Sequence, residues 1–441
     1  MLDGRSRRVQ SRSRRVQLPD RTKLGVAGAA AATFAALLAS YGAFRPVRDA
    51  LVLERNPDQL PWLFLASFAA ISIVSPLWSA LIARRPPRRY IAIAYHVFAA
   101  CLVGFVIAIR TEVSPATVGR VFYVWSAVFN LFAVSVFWSL LADLLGAGTA
   151  RQLYGPIAAG GTLGAIAGPW LTGLLVASIG VAGVLVMSAV LLELAVVGVG
   201  WVRREAAGLA PPGAATEPEH LAGGSALTGI VHVARSPYLS AIVGYVLCTA
   251  CAATFMYLAQ QRIVYAAHLD VTARAAYQAS IDRWTQIATL ALQLFVAGPA
   301  IRWVGPGLVL AVLPLARAVG LTVLAATSSL TAVAVVQVIA SASTHGLTRP
   351  ARELLFTVVS RDDKYRAKNA IDTIGYRFGD LGSSWLNKGL AALGSGALAL
   401  ATVPLVAIWI GLAAAAGLGF RRRTAQRADD QRAQAPPEEL P

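Results

Sequence analysis

Residues 349–388 read RPARELLFTVVSRDDKYRAKNAIDTIGYRFGDLGSSWLNK, a charged segment that passes without a break into a helical one. From Asn369 onward, Thr373, Arg377, Asp380, Ser384 and Lys388 recur every three or four positions, which puts them on one helix face. Ile374, Phe378, Leu381 and Trp385 fall on the other faces. In a soluble protein this would be an amphipathic surface helix, but the rest of the chain gives it another meaning. Of 441 residues, 56% are hydrophobic and only 14% are charged, which marks a polytopic membrane protein rather than a water-soluble domain. Ionisable groups at membrane depth are costly unless they face a wet cavity or one another. The helix is therefore expected to line a polar path across the bilayer.

Working outward, apolar segments long enough to span a bilayer are expected at about 24–44, 61–82, 89–109, 120–145, 155–178 and 181–202, and again at about 238–263, 277–299, 304–326, 329–348, 369–391 and 395–419. Between the two sets, REAAGLAPPGAATEPEHLAGG has no apolar period and reads as a flexible linker. The predicted fold is an all-α membrane protein with twelve transmembrane helices in two six-helix halves, of major facilitator type. Its parts are a basic tail (1–23), an N-terminal half (24–202), a linker (203–225), a C-terminal half (226–420) and a second tail (421–441). A weak internal repeat agrees: LLADLL at 140–145 and PARELL at 350–355 both lead into a charged turn and a Gly-rich helix. Parallel repeats of this kind place a binding site between the halves, near the midplane.

The net charge of +17 would suggest nucleic acid in a soluble protein. Here the basic residues gather in alternate short connections, such as Arg84-Arg85-Pro86-Pro87-Arg88-Arg89, and in both tails. The positive-inside rule then places both termini in the cytoplasm, with 54–58 and 265–279 as external loops and the tail from Arg421 disordered. The paired arginines before the first apolar run are not read as an export signal, because that run is too long and further spans follow. Cys101, Cys248 and Cys251 lie in apolar runs without a nearby histidine and read as packing residues. No GxxxxGK[ST] motif, G-x-S-x-G motif or His/Cys cluster occurs. The chain is thus expected to be neither an enzyme nor an ATP-hydrolysing pump, with no cofactor and no metal site.

Arginine stays charged and offers a planar fork of donors suited to phosphate or carboxylate oxygens. Arg45, Arg48, Arg317 and Arg377 are the arginines at membrane depth, drawn from both halves, and are the candidate anion ligands. Asp49, Glu193 and Asp380 are candidates for charge balance or proton coupling. Asp143, Arg151, Glu353, Lys364, Arg366, Lys368 and Asp372 are read as a cytoplasmic gate between the halves. Tyr123, Trp138, Tyr257 and Tyr376 offer stacking surfaces for a flat group. The glycines at 160, 161, 164 and 168 allow a neighbouring helix to approach closely.

The segment RDDKYRAKNAIDTIGYRFGDLGSSW resembles the signature region of the ATP/ADP-type nucleotide translocases and their free-living bacterial relatives, the NTP/NDP exchange transporters. In that family a K-Y-K-A-K-x-x-I-D pattern precedes a Gly/Ser-rich helix. Here Lys364-Tyr365-Arg366-Ala367-Lys368 and Ile371-Asp372 fill it. The first span ends in Arg45, Arg48 and Asp49, similar to the family's R-x-x-K-D, and RVFYVWSAVFNLFAVSVFWSLLADL resembles its fourth helix. The chain departs from the plant and parasite translocases at three charges. Ser126 or Ala127 and Tyr257 stand where they carry acids, and Asp380 stands where they carry a lysine.

The resemblance implies a secondary-active carrier of the bacterial inner membrane working by alternating access. Its partners would be the lipid bilayer and a small anionic solute, ATP and ADP foremost. On the residues alone two other readings stay open. One is a proton-coupled exporter of drug-like or metabolite cargo, motivated by Glu193, Asp380 and the small-residue fifth helix. The other is a non-transporting membrane scaffold or sensor, motivated by the basic N-terminal tail.

Overall fold

The computed structural model describes residues 21–82, 87–111, 113–145, 147–207, 231, 233–371, 378–393 and 395–434. It is helical almost throughout. In chain order the helices are α1 (Arg21–Val52), α2 (Leu60–Ile82), α3 (Pro87–Arg110), α4 (Pro115–Leu144), α5 (147–179), α6 (181–206) and α7 (Pro237–Ala266). There follow α8 (Val271–Ala291, running on to 304), α9 (306–326), α10 (Leu330–Ser343, running on to Leu355), α11 (Gly379–Ala392) and α12 (Ser395–Gln434). Among the described residues, nine runs are long and apolar enough to cross a membrane. Two of these, at 55 and 56 residues, are folded back on themselves at Gly180 and Gly305. Both glycines hold a left-handed φ, +68° and +82°, that a residue with a Cβ adopts only under strain. Exposed apolar side chains such as Leu163, Val197, Phe295 and Leu400 clothe the outside, a surface suited to lipid rather than water.

Each half has its own core. One is built around Phe44, Phe122, Phe129 and Phe137, the other around Tyr245, Leu310, Phe356 and Trp409. The glycines of α5 pack α1 and α5 to near backbone contact. A Cβ at Gly160, Gly164 or Gly168 would run into the carbonyl oxygens of Ala31, Ala35 and Ala39, one turn apart along α1.

Two segments differ from the sequence reading. The stretch expected to be an external loop, 265–279, is helical from Val271 onward, because Asp270 caps it by accepting from the Ala273 amide at 2.7 Å. This extends α8 by two turns and brings Arg274 and Gln278 into it. The tail expected to be disordered continues α12 as helix to Gln434, where Arg427 donates to the carbonyl oxygen of Thr357 at 2.8 Å. Most of the linker lies outside the described residues. Two π-helical turns, Leu292–Ala297 in α8 and Thr344–Thr348 in α10, face each other, and Gln293 donates to the His345 carbonyl at 3.1 Å.

Candidate functional site

The polar residues of the interior gather where α1 meets α7 and α8. Asp49 is buried, and its Oδ1 accepts from Nε and Nη2 of Arg48 at 3.0 and 2.7 Å. The same oxygen accepts from the hydroxyl of Tyr257 in the other half at 3.0 Å. The Arg48 guanidinium lies 5.1 Å from the centre of the Tyr123 ring, so both the charge and the flat face of this arginine are occupied. One turn earlier, Arg45 reaches Asp282 of α8 at 3.6 Å. Pro46 follows Arg45 directly, inside the helix.

Two connected chambers open from this cluster. The inner one, about 240 Å³, is lined by Tyr41, Arg45, Asp49, Tyr257, Asp282 and His345, with Gln260 and Gln278 hydrogen-bonded to each other in its wall at 2.7 Å. The wider one, about 680 Å³, shares Arg45, Tyr257, Gln337, Ser341 and His345 with it and runs toward the end of the molecule that carries Glu353. Among the described residues its charged lining is five cations, Arg45, Arg317, Arg349, Arg352 and Lys368, against two carboxylates, Glu353 and Asp380. Glu353 is engaged by Lys368 at 2.8 Å and by Arg352 at 3.7 Å. Asp380 accepts from Thr254 at 3.1 Å. The wider chamber therefore presents a cationic wall.

Arg317 is the most unusual of these cations. The inward stripe of α9 runs Val309, Leu310, Leu313, Pro314, Arg317, Gly320, Leu321 and Leu324, and Arg317 is its only charge. It is 4% exposed. It donates to Met256 Sδ and Thr344 Oγ1, both at 3.3 Å, and its Nε has no partner. No carboxylate among the described residues pairs with it. A desolvated guanidinium held only by a thioether and a hydroxyl, among the described residues, keeps an uncompensated positive charge at this point of the chamber.

The opposite end is closed. Val52, Leu53, Leu60, Leu63 and Tyr123 of one half pack against Leu258 and Val264 of the other. Beside this plug Arg274 binds Glu54 at 2.8 Å, with side chains 11% and 26% exposed. Farther around the seam, Trp62 of α2 meets Trp385 of α11 edge-on at 4.8 Å, and Lys388 lies 5.3 Å from the Trp385 ring.

Of the residues expected from sequence, Arg45, Asp49, Tyr257, Arg317, Glu353, Lys368 and Asp380 line the chambers, and Arg48 and Tyr123 support them from behind. Glu193 does not join them. It lies on the outer surface, 44% exposed, paired with His96 of α3 at 2.9 Å among exposed Ile93, Val97, Val190 and Leu194. Its partner is His96, not a group of the cavity. Trp138 is packed among Phe34, Phe137 and Tyr154 within one half, away from either chamber. Asp143 is exposed at the end of α4, and Lys364 and Arg366 are half-buried on the helix Arg361–Ala370. Asp372, Tyr376, Arg377 and the side chain of Arg151 lie outside the described residues. Asp282, His345, Arg349 and Arg352 line the chambers without having been singled out as ligands. For Asp282 a signal existed: Arg274, Gln278, Asp282, Thr285 and Thr289 recur at helical spacing.

No family model matches the chain, and no curated protein sequence does. Solved structures do. A point mutant of the nucleoside transporter NupG superposes with a TM-score of 0.61 at 13% identity, over 90% of this chain and 99% of that one. A bacterial homologue of the iron transporter ferroportin, in an inward-facing state, gives 0.58 at 12% identity over 92% and 99%. A bacterial homologue of the lysosomal transporter Spinster, inward-facing and unoccupied, gives 0.55 at 15% over 92% and 99%. At these identities the likeness establishes the fold, which is the twelve-helix, two-half arrangement of the major facilitators.

Proposed function

We propose that this chain is a secondary-active transporter that moves a small organic anion by alternating access, with a nucleotide or related phosphate compound as the leading cargo. The observation that carries the reading is Arg317, a buried guanidinium without a carboxylate partner among the described residues, set in a chamber with four further cations. Those cations come from both halves, as cargo-driven closure of one half on the other requires. Tyr257, common to both chambers, offers a face to a planar cargo group. The resemblance of residues 361–385 to the nucleotide translocases, and the likeness of the fold to a nucleoside transporter, favour nucleotides among anions. In this reading the Glu353 end faces the cytoplasm of a bacterium, both tails lie there, and the shape is the inward-open one.

The reading is tested by uptake of labelled ATP into proteoliposomes preloaded with ADP, phosphate or buffer. Uptake that requires internal nucleotide and is lost in Arg317→Gln is the expected result. Absence of uptake under every loading, for ATP and for other phosphates, would refute it.

A further inference from the structure

Three ion pairs meet where α1 faces the C-terminal half, and they are not equally tight. Arg48–Asp49 closes at 2.7 Å and Arg274–Glu54 at 2.8 Å, whereas Arg45–Asp282 stands at 3.6 Å. The Arg48 side chain is 14% exposed, donates twice to one oxygen and is backed by Tyr123. Among the described residues Arg45 makes a single ion-pair contact, and it is 45% exposed and lines both chambers. An anion entering along the cationic wall can therefore engage Arg45 without dismantling a bidentate pair.

The consequence falls on Asp282. Its carboxylate is 15% exposed, and Arg45 is its only ion-pair partner among the described residues. Facing it from α1 are Tyr41, Arg48, already committed to Asp49, and Asp49 itself, a like charge. From α7 and α10 come Tyr257 and His345, and from α8 itself Gln278 and Thr285. The packed helix α5 contributes Ala165 and Pro169, which carry no charge. Once Arg45 turns to the anion, no uncommitted cation among the described residues of the chamber neutralises Asp282, and a mostly desolvated carboxylate without a partner is strongly disfavoured.

We infer that Asp282 is the proton carrier that accompanies an anionic cargo: as the anion takes Arg45, the Asp282 carboxylate binds a proton from water in the chamber. The O–H bond forms at the expense of a hydronium ion, and the guanidinium–cargo contact replaces Arg45–Asp282. When the cargo leaves, Arg45 returns and the proton departs. This rests on the anion-transport reading. It adds to it that each anion bound brings a proton with it.

The test is calorimetric titration of the purified protein with ATP, inorganic pyrophosphate and inorganic phosphate, repeated in buffers of different ionisation heat. Wild type is expected to take up about one proton per bound anion. Asp282→Asn, which keeps the shape of the side chain, is expected to take up almost none and to bind several-fold more tightly, since the competitor for Arg45 is gone. Asp282→Glu retains the acid and is expected to retain the uptake, which separates proton binding from damage to the fold. Anion binding without proton uptake in wild type, or uptake unchanged in Asp282→Asn, overturns the assignment and leaves anion binding standing. Uptake abolished by His345→Gln but not by Asp282→Asn moves the proton to the histidine and likewise overturns it. Failure of all three anions to bind overturns both readings together.

Discussion

Arg274 and Glu54, 220 residues apart in the chain, meet at 2.8 Å across the two halves, one turn into α8 and just past the end of α1. Arg45 and Asp282 meet between the same two helices, and the spacings match: nine residues along α1 and eight along α8, running in opposite directions. The two pairs are rungs of one antiparallel contact, and the closed end of the molecule is the end with the tight rung. Opening that end must break Arg274–Glu54 and part Leu53 and Leu60 from Leu258 and Val264.

Removing one member of the tight rung should therefore favour the opposite opening. Arg274→Gln leaves Glu54 without its partner in a mostly buried place, a loss that destabilises the closed arrangement by a few kcal/mol. A cysteine at Leu60, fully buried in the plug, reports it: labelling by a membrane-impermeant maleimide should rise by roughly tenfold or more in the Arg274→Gln background, the factor that about 1.4 kcal/mol gives. Equal labelling rates in the two backgrounds would show that the apolar plug alone holds the end shut.

Arg317 lends itself to a trade-off between stability and binding. A structural arginine destabilises the protein when removed, but a desolvated cation awaiting an anion does the reverse. Arg317→Met keeps much of the apolar stem while deleting the charge and the guanidinium's contact with Met256. The variant is expected to melt higher than wild type without ligand, with a gain on the order of 1 kcal/mol, and to lose any rise in melting temperature that ATP or pyrophosphate gives wild type. A variant that melts lower and still responds to anions would assign Arg317 to packing.

The seam between α1 and α5 predicts a purely structural effect. A methyl group at Gly164 meets the Ala35 carbonyl, and no side chain there can swing aside. Gly164→Ala must push the helices apart and should cost about 1–3 kcal/mol, as overpacking of tight cores does. Gly155 has open space around it and makes the control, since Gly155→Ala should melt like wild type. Thermal unfolding of the two variants in detergent, side by side, decides the matter.

Hydropathy was enough to read eleven of the expected spans, because a helix in lipid must be both apolar and long, and Gly180 and Gly305 mark the two places where spans follow one another without a loop; the span expected at 369–391 is described only from 378 onward. The start of α8 was not legible in that way. VTARAAYQAS is too polar to look like a span, yet its Arg274 and Gln278 are buried because they face the other half rather than lipid. Asp282 differs, since it lies inside the span expected at 277–299 and was passed over although it shares a helical row with Arg274, Gln278, Thr285 and Thr289. Arg349 and Arg352 sit in what reads as a charged hinge, and it took the fold to show that α10 carries them along the chamber wall. Glu193 erred in the opposite direction. Its span is apolar on every side, so sequence could not tell a cavity-facing acid from a lipid-facing one.

That last contrast is itself open to experiment. Glu193 and His96 form their pair on the outer face, joining α3 to α6, and neither lines a chamber. If the coupling proton resides in the cavity, Glu193→Gln leaves anion affinity and proton uptake on binding as they are in wild type. It keeps a hydrogen-bond partner for His96 on an exposed face, so stability should change little, by about 1 kcal/mol at most. Asp380→Asn differs, because Asp380 is one of two carboxylates that line the wider chamber among the described residues and its removal makes that wall still more cationic. Anion affinity should rise in Asp380→Asn and stay flat in Glu193→Gln, measured by the same calorimetric titration. A fall in proton uptake in Glu193→Gln, with anion binding intact, would place the coupling group on the lipid-facing surface and detach it from the cargo site.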